Sequence, residues 1–473
     1  MATSHLFVDP RLVASTSNAK LELGTVQKHR ANPLFVEDFF ADPPKRWEAR
    51  LDNVYPNVVY DDEEGLFKCW YKSIIYDEPS NNTPLAQRPS RPYRQGAREE
   101  GLLYAVSADG ITWEKPALGL IDFEGSTANN LVMRRTTHGL HAGGVFKDRR
   151  EPDPARTYKF IHRNATAGRM ATCFSADGLR WSQAVLWDEH DAVGDCHNNA
   201  IWSPERERYV CITRGWSAGI RTVLRSESAD FVNWSKPVEI MRGADAHDQI
   251  YSMPICHYGG LYIGLPAVFH KGDEGAANWD TVDTELAISV DSVHWERICP
   301  GEALIARGDG AYPDGAYDCG CVYAAAPFIY DGAIRIYYGG SNGLHNNWRE
   351  GSLNLATLEM DRFAGYVPAD ASGSAVVQTN SLRLSDEPVT LNAEVQPGGS
   401  IRAGLMDAGG TEFRGFALDD CLPVTQGGAS CELRWRERDI AELAGGAIRL
   451  AFEFQKAKLY ALNAVGVLAA DSA

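Results

Sequence analysis

Ser107-Ala-Asp-Gly-Ile-Thr-Trp113 is the first of four copies of one pattern in this chain, Ser-x-Asp-x-x-x-Trp. The others are Ser175-Ala-Asp-Gly-Leu-Arg-Trp181, Ser228-Ala-Asp-Phe-Val-Asn-Trp234 and Ser289-Val-Asp-Ser-Val-His-Trp295. Their starts lie 68, 53 and 61 residues apart, a period that marks an array of similar supersecondary units. An apolar run precedes each copy, as at residues 102–106 and 286–288. The Ser and Asp side chains suit a tight turn, because both can bind nearby backbone amides. Gly110 and Gly178 permit positive φ in two of the copies. The four aspartates therefore read as punctuation between strands, and the chemistry is to be sought elsewhere.

Between the turns lie paired runs of β-formers. Residues 55–60 pair with 66–71, 143–146 with 158–161, 199–202 with 208–212, 251–256 with 261–265, and 322–329 with 333–338; turn residues join each pair. Five hairpins without strong helix signals predict an all-β fold, a five-bladed β-propeller over residues 1–366. The strand near Leu34-Phe-Val36 is expected to complete the last blade. After a small-residue linker at 369–374, short alternating runs predict an accessory β-sandwich over residues 367–473.

Composition narrows the partners. A formal net charge of −17 disfavours a nucleic-acid partner. No apolar run approaches the roughly 18–20 residues of a membrane span. The first ten residues lack a basic start and an apolar segment, so no signal peptide is read there. The ten cysteines are scattered, and Cys319-Gly-Cys321 lacks a second pair for zinc. The expectation is a cytoplasmic protein with reduced thiols, no metal and no cofactor, acting on something neutral. Homo-oligomerisation is left open.

In a propeller, polar residues just before the inner strands converge on a central funnel. Those residues are Asp52, His141, Asp195 with His197 and Asn198, Asp248, and Asp318. The returning strands deliver Arg163, Arg214 and His270 to the same rim, followed by His345. Trp216, Trp279 and Trp348 lie in adjoining loops. Carboxylates, His, Arg and indole suit a sugar, whose hydroxyls need hydrogen bonds and whose ring face stacks on aromatics.

The turn Ser-x-Asp-Gly-x-x-Trp, the hairpin Phe67-Lys-Cys-Trp-Tyr71 and Ile336-Tyr-Tyr-Gly-Gly340 resemble the five-bladed propeller glycosidases, the superfamily of glycoside hydrolase families 32, 43, 68 and 130. A propeller followed by a sandwich is most similar to family 32. The catalytic motifs of that family are not matched: the nearest segment to its opening motif is Phe7-Val-Asp-Pro10, and Asp195-Cys196 stands where its acid motif would be. The resemblance implies a glycoside hydrolase on a small oligosaccharide or glycoside, with fructosyl or arabinosyl furanose as the expected sugar. Asp52 is the expected nucleophile or base and Asp195 the acid. Asp318 tunes the pair or binds sugar, as does Asp248. His141, His197, Asn198, Arg163, Arg214, His270 and Trp216 bind substrate. Two rivals stand beside this reading: a glycoside phosphorylase or transglycosylase, for which arginines would supply a phosphate site, and a noncatalytic carbohydrate-binding propeller.

Overall fold

The four turns form as their sequence demands. In each, the Asp carboxylate accepts two backbone N–H groups: Ile111 and Thr112 on Asp109 at 2.7 Å each, and the equivalent pairs on Asp177, Asp230 and Asp291 at 2.8 Å. The Ser hydroxyl donates to the same carboxylate at 2.9–3.1 Å. The fourth residue takes positive φ in every copy, 74° at Gly110 and 73° at Gly178, but also 64° at Phe231 and Ser292. The repeated turn thus imposes its geometry even where no glycine is present.

The computed structural model describes residues 4–188, 192–385, 387–463 and 465–467. The described chain is almost entirely β, in a propeller-like arrangement of sheets. Four sheets are separate and four-stranded. The first runs Asn57–Asp61, Leu66–Asp77, Arg98–Ser107, Leu131–Arg134; the second Leu140–Lys147, Tyr158–Asn164, Arg169–Ser175, Val185–Leu186. The third runs Asn199–Ser203, Arg208–Ser217, Ile220–Ser228, Val238–Arg242, and the fourth Ile255–Tyr258, Leu261–Gly264, Leu286–Ser289, Trp295–Ile298. All neighbours within them are antiparallel.

The fifth hairpin does not stand alone. Cys321–Ala324, Ala333–Ser341 and Gly351–Glu359 belong to a nine-stranded sheet that also holds Asp248–Ser252, Ala267–His270 and Val282–Thr284. The fourth hairpin is the cause. Its strands are interrupted at Pro254 and Pro266, which have no N–H to give the ladder, and their upper halves join the fifth unit through one parallel pair, Val282 with Cys321. Phe35–Val36 pairs with Gly351–Glu359, as the sequence led us to expect.

Polar staples tie neighbouring sheets. Asp61 ends the inner strand of the first sheet and accepts from Lys68 (2.8 Å), Lys147 (2.7 Å) and the Tyr158 hydroxyl of the second sheet (2.5 Å). Asp148 repeats this with Lys159 (2.9 Å) and Tyr209 of the third sheet (2.5 Å). Ser203 meets Tyr262 of the fourth at 2.5 Å. Trp70 Nε1 donates to the Gly178 carbonyl at 2.6 Å, and the Tyr337 hydroxyl to that of Gly110 at 2.8 Å. The turn motif is therefore also the surface on which the preceding unit docks.

The C-terminal region differs from expectation in two respects. Strand pairing gives one ten-stranded sheet, because Thr390–Asp407 and Ala447–Asn463 run through it as long bulged strands rather than as several short ones. The N-terminal strands His5–Leu6, Val13–Ser17 and Ala19–Leu23 belong to this sheet, so the first 23 residues leave the propeller region to which they were assigned. Asp9, buried against Arg11 at 2.8 Å, goes with them. All ten cysteines are unpaired. No helix among the described residues is long and apolar enough to cross a membrane.

Candidate active site in the funnel

Inner strands start, and second strands finish, at the same end of the sheets. That end frames a cavity of 360 Å³ lined by Asp52, Lys72, Glu100, His141, Asp195, Tyr251 and His345 among others. Asp52 precedes the inner strand of the first sheet, His141 begins that of the second, and Asp195 precedes that of the third. Residues hundreds of positions apart therefore share one wall. The lining is strongly cationic: Arg50, Lys72, Arg98, Arg135 and Arg349 face three carboxylates, Asp52, Glu100 and Asp195.

Asp52 is clamped by guanidinium groups. Arg50 Nε donates to Oδ1, Arg98 Nη2 to Oδ2 at 3.3 Å, and Arg349 Nε stands 3.4 Å from Oδ1. Burial opposes ionisation, but the charges of Arg50, Arg349 and Arg98 outweigh it and hold the carboxyl far below the usual range. The three arginines thus favour the ionised form of Asp52.

Asp195 is 41% exposed and belongs to a linear array. Its Oδ1 lies 2.8 Å from His141 Nε2, and His141 Nδ1 lies 2.6 Å from Glu100 Oε2. Lys72 Nζ completes the array 2.9 Å from Glu100 Oε1. Burial disfavours a charged imidazole, yet hydrogen bonds to Asp195 and Glu100 win and raise His141 above its ordinary value. Glu100 is brought down to about 2, as the Lys72 charge and the His141 bond overcome its burial. Asp195 is also held low: the His141 bond and the Arg214 charge exceed the desolvation cost. Of the three groups, His141 alone is raised, while both carboxylates are held low.

A wall built from the segment between Leu66–Asp77 and Arg98–Ser107 narrows the cavity. Its short helix Glu78–Asn82 is capped by Asp77, which accepts from Ser80 N at 3.1 Å. Tyr93 from this wall lies under the Arg50 guanidinium at 4.2 Å and meets Trp348 edge-on at 4.9 Å. Trp348 Nε1 donates to the Arg91 carbonyl at 2.8 Å. Trp348 is thus buried in the wall and not available as a sugar platform.

The other sequence-predicted residues divide. Arg214 backs Asp195 at 3.3 Å and donates to the Tyr251 carbonyl at 2.6 Å. His197 and Asn198 are buried: His197 stacks on Tyr55 at 5.2 Å, with burial pushing its imidazole down to about 3, and Asn198 holds the Gly194 carbonyl and Thr213. They order the inner strands. Asp318 is buried in an ion pair with Lys28 at 2.6 Å, beside the Tyr338 hydroxyl, and does not line this cavity. Asp248 and His270 form their own array with Asp283 and Arg307, at 2.7, 2.8 and 2.8 Å. Trp216 is 43% exposed under the Arg221 guanidinium, and Arg163 stands opposite His141 in the second sheet. Sequence reasoning passed over Glu100, Lys72 and the arginines. Of these, Arg50 had a readable signal, lying two residues before Asp52.

Among the described residues, no cluster of three His, Cys, Asp or Glu side chains stands ready for a metal ion. The fold and the site define an all-β, propeller-like protein with a polar, cation-rich funnel. No protein family and no curated protein matches the sequence. Among solved structures, the chain is similar to an N-acetylgalactosamine deacetylase from F. plautii in complex with blood group B trisaccharide, at 13% identity over 73% of this chain and 97% of that one, TM-score 0.46. It is similar to a structure from the GH130 family of mannoside phosphorylases, which contains glycoside hydrolases that target β-1,2 mannosidic linkages in Candida mannan (15%, 71% and 94%, TM-score 0.46). A glycosyl hydrolase from Bacteroides ovatus aligns at 12% identity over 72% and 95%, TM-score 0.44. The fold of this chain rests on its strand pairing, and no activity passes to it from these proteins.

Proposed function

We propose that the chain is a carbohydrate-active enzyme that cleaves a glycosidic bond in the funnel cavity. The observation that carries this is the pairing of Asp195 with His141 in the same cavity as the arginine-clamped Asp52. Cleavage needs one group to protonate the leaving oxygen and another to attack or to activate the attacker. Asp52, ionised but a weak base, suits attack as a nucleophile rather than activation of water. Asp195 alone is too acidic for the first, but the proton shared along its 2.8 Å contact with His141 serves it. Phosphorolysis is the second reading, favoured by the excess of cations over carboxylates around the cavity.

The test is a screen of glycosides, fructosyl and arabinosyl furanosides included, with and without inorganic phosphate. Free reducing sugar as product marks hydrolysis, and sugar 1-phosphate marks phosphorolysis. Asp195→Asn abolishes turnover and leaves binding in place. Sugar binding by the wild-type chain without turnover of any glycoside would instead make it a binding propeller.

A further inference from the structure

The arginines around Asp52 are not fully used by it. Arg50 is buried, and its Nη1 has no hydrogen-bond partner, while its Nη2 is taken by the Asn347 carbonyl at 2.6 Å. Arg98 is shared between Asp52 and Asp77, with Nε 2.8 Å from Asp77. Arg349 bonds Asn53 at 3.1 Å. Three guanidinium groups thus stand against two carboxylates, one positive charge in excess. A buried, unpartnered guanidinium N–H is costly unless something occupies it. The whole chain is acidic, so a local cationic excess is not a by-product of composition.

We propose that Arg50, Arg98 and Arg349, with the half-exposed Arg135 at the rim, form a subsite for one oxyanion on the substrate, and that this is the carboxylate of an acidic sugar. The three arginines set against Asp52 and Asp77 leave one positive charge for an anion to balance. Planar guanidinium groups match a carboxylate through paired N–H donors. The inference rests on the reading that a glycoside occupies the cavity, and it adds the class of glycoside: a uronic-acid residue.

The test is equilibrium binding to the full chain by calorimetry, in buffers matched in ionic strength with sodium chloride. The probes are galacturonate, glucuronate, their neutral parents galactose and glucose, and inorganic phosphate. The uronates bind and the neutral sugars bind at least about tenfold more weakly, the scale of one charged hydrogen bond. Arg98→Gln and the safer rim variant Arg135→Gln weaken uronate binding more than they weaken neutral-sugar binding. Equal binding of uronates and neutral sugars overturns the proposal, as does phosphate binding tighter than either uronate. Wild-type uronate affinity in both folded variants also overturns it. Because binding is read without turnover, loss of this proposal leaves cleavage of neutral glycosides untouched, and absence of any turnover leaves uronate binding standing.

Discussion

Glu100→Gln separates the two tasks of the funnel array. Glu100 is buried and accepts from His141 at 2.6 Å and from Lys72 at 2.9 Å. Glutamine keeps the shape and one acceptor but removes the charge. Lys72 is then a partly buried cation that has lost its direct counter-ion. Breaking a buried pair from one side costs about 3–5 kcal/mol, and the lower end is expected because Asp195 also acts on Lys72. His141 loses one of the two carboxylates that raise it, while burial still opposes its charge. Its proton is therefore released at lower pH.

If His141 supplies the proton, kcat/KM has an alkaline limb that moves to lower pH in Glu100→Gln. In His141→Gln the limb disappears and the rate falls by about 10²–10⁴-fold, the range for a general acid. The assays are pH–rate profiles on a turned-over glycoside and urea unfolding of the same variants. An alkaline limb unchanged in His141→Gln would refute the role given to this imidazole. Unchanged urea stability in Glu100→Gln would refute the argument from the buried charge.

Two further outcomes concern the scaffold. Asp61→Asn removes the acceptor shared by Lys68, Lys147 and Tyr158, and urea unfolding should show a loss of about 3 kcal/mol, the lower end for a broken buried pair because Glu63 and Glu64 remain near the lysines. The Asp61 carboxyl is held low in the fold despite its burial, by bonds from Lys147, Lys68 and Tyr158, so its stabilisation is present above the ordinary carboxylate range and lost as pH falls through its folded value. His270 has the opposite sign: burial opposes its charge, but bonds to Asp283 and Asp248 raise it. Its contribution is complete below the unfolded value of about 6.5 and is lost as pH rises through the folded one. Thermal melts across that window should be flatter for His270→Gln than for the wild type.

The repeat was legible because a turn is local. Ser, Asp and the positive-φ residue that close it all lie within four positions, so the sequence carries the geometry whole. The merging of the fourth and fifth units was not read, although Pro254 stood in a run assigned to a strand and Pro266 directly after the run paired with it; the consequence depends on which strand lies alongside. The pairing of the N-terminal strands with the C-terminal sheet was not read for the same reason, since pairing with residues more than 340 positions away leaves no local trace. In the site, register pointed to Asp52, His141 and Asp195, which line one cavity. It said nothing of Glu100 and Lys72, which enter from the second and third strands of the first sheet.

The molecule also shows why residue type alone does not define a site. Asp195–His141–Glu100–Lys72 and Asp248–His270–Asp283–Arg307 are the same chemical sentence: a half-exposed carboxylate, an imidazole, a second carboxylate and a cation, each joined at 2.6–2.9 Å. Both imidazoles are raised by their carboxylates. Only the first array opens on the cavity that also holds the arginine-clamped Asp52. The second lies where the fourth unit joins the fifth: Asp248, His270 and Asp283 all sit on strands of the shared nine-stranded sheet. There an ionised array can fix strand ends that proline has cut loose. A perturbed imidazole is thus an active-site signal only when an empty, oppositely furnished space adjoins it. This distinction predicts that His141→Gln lowers turnover by about 10²–10⁴-fold, whereas His270→Gln acts first on stability.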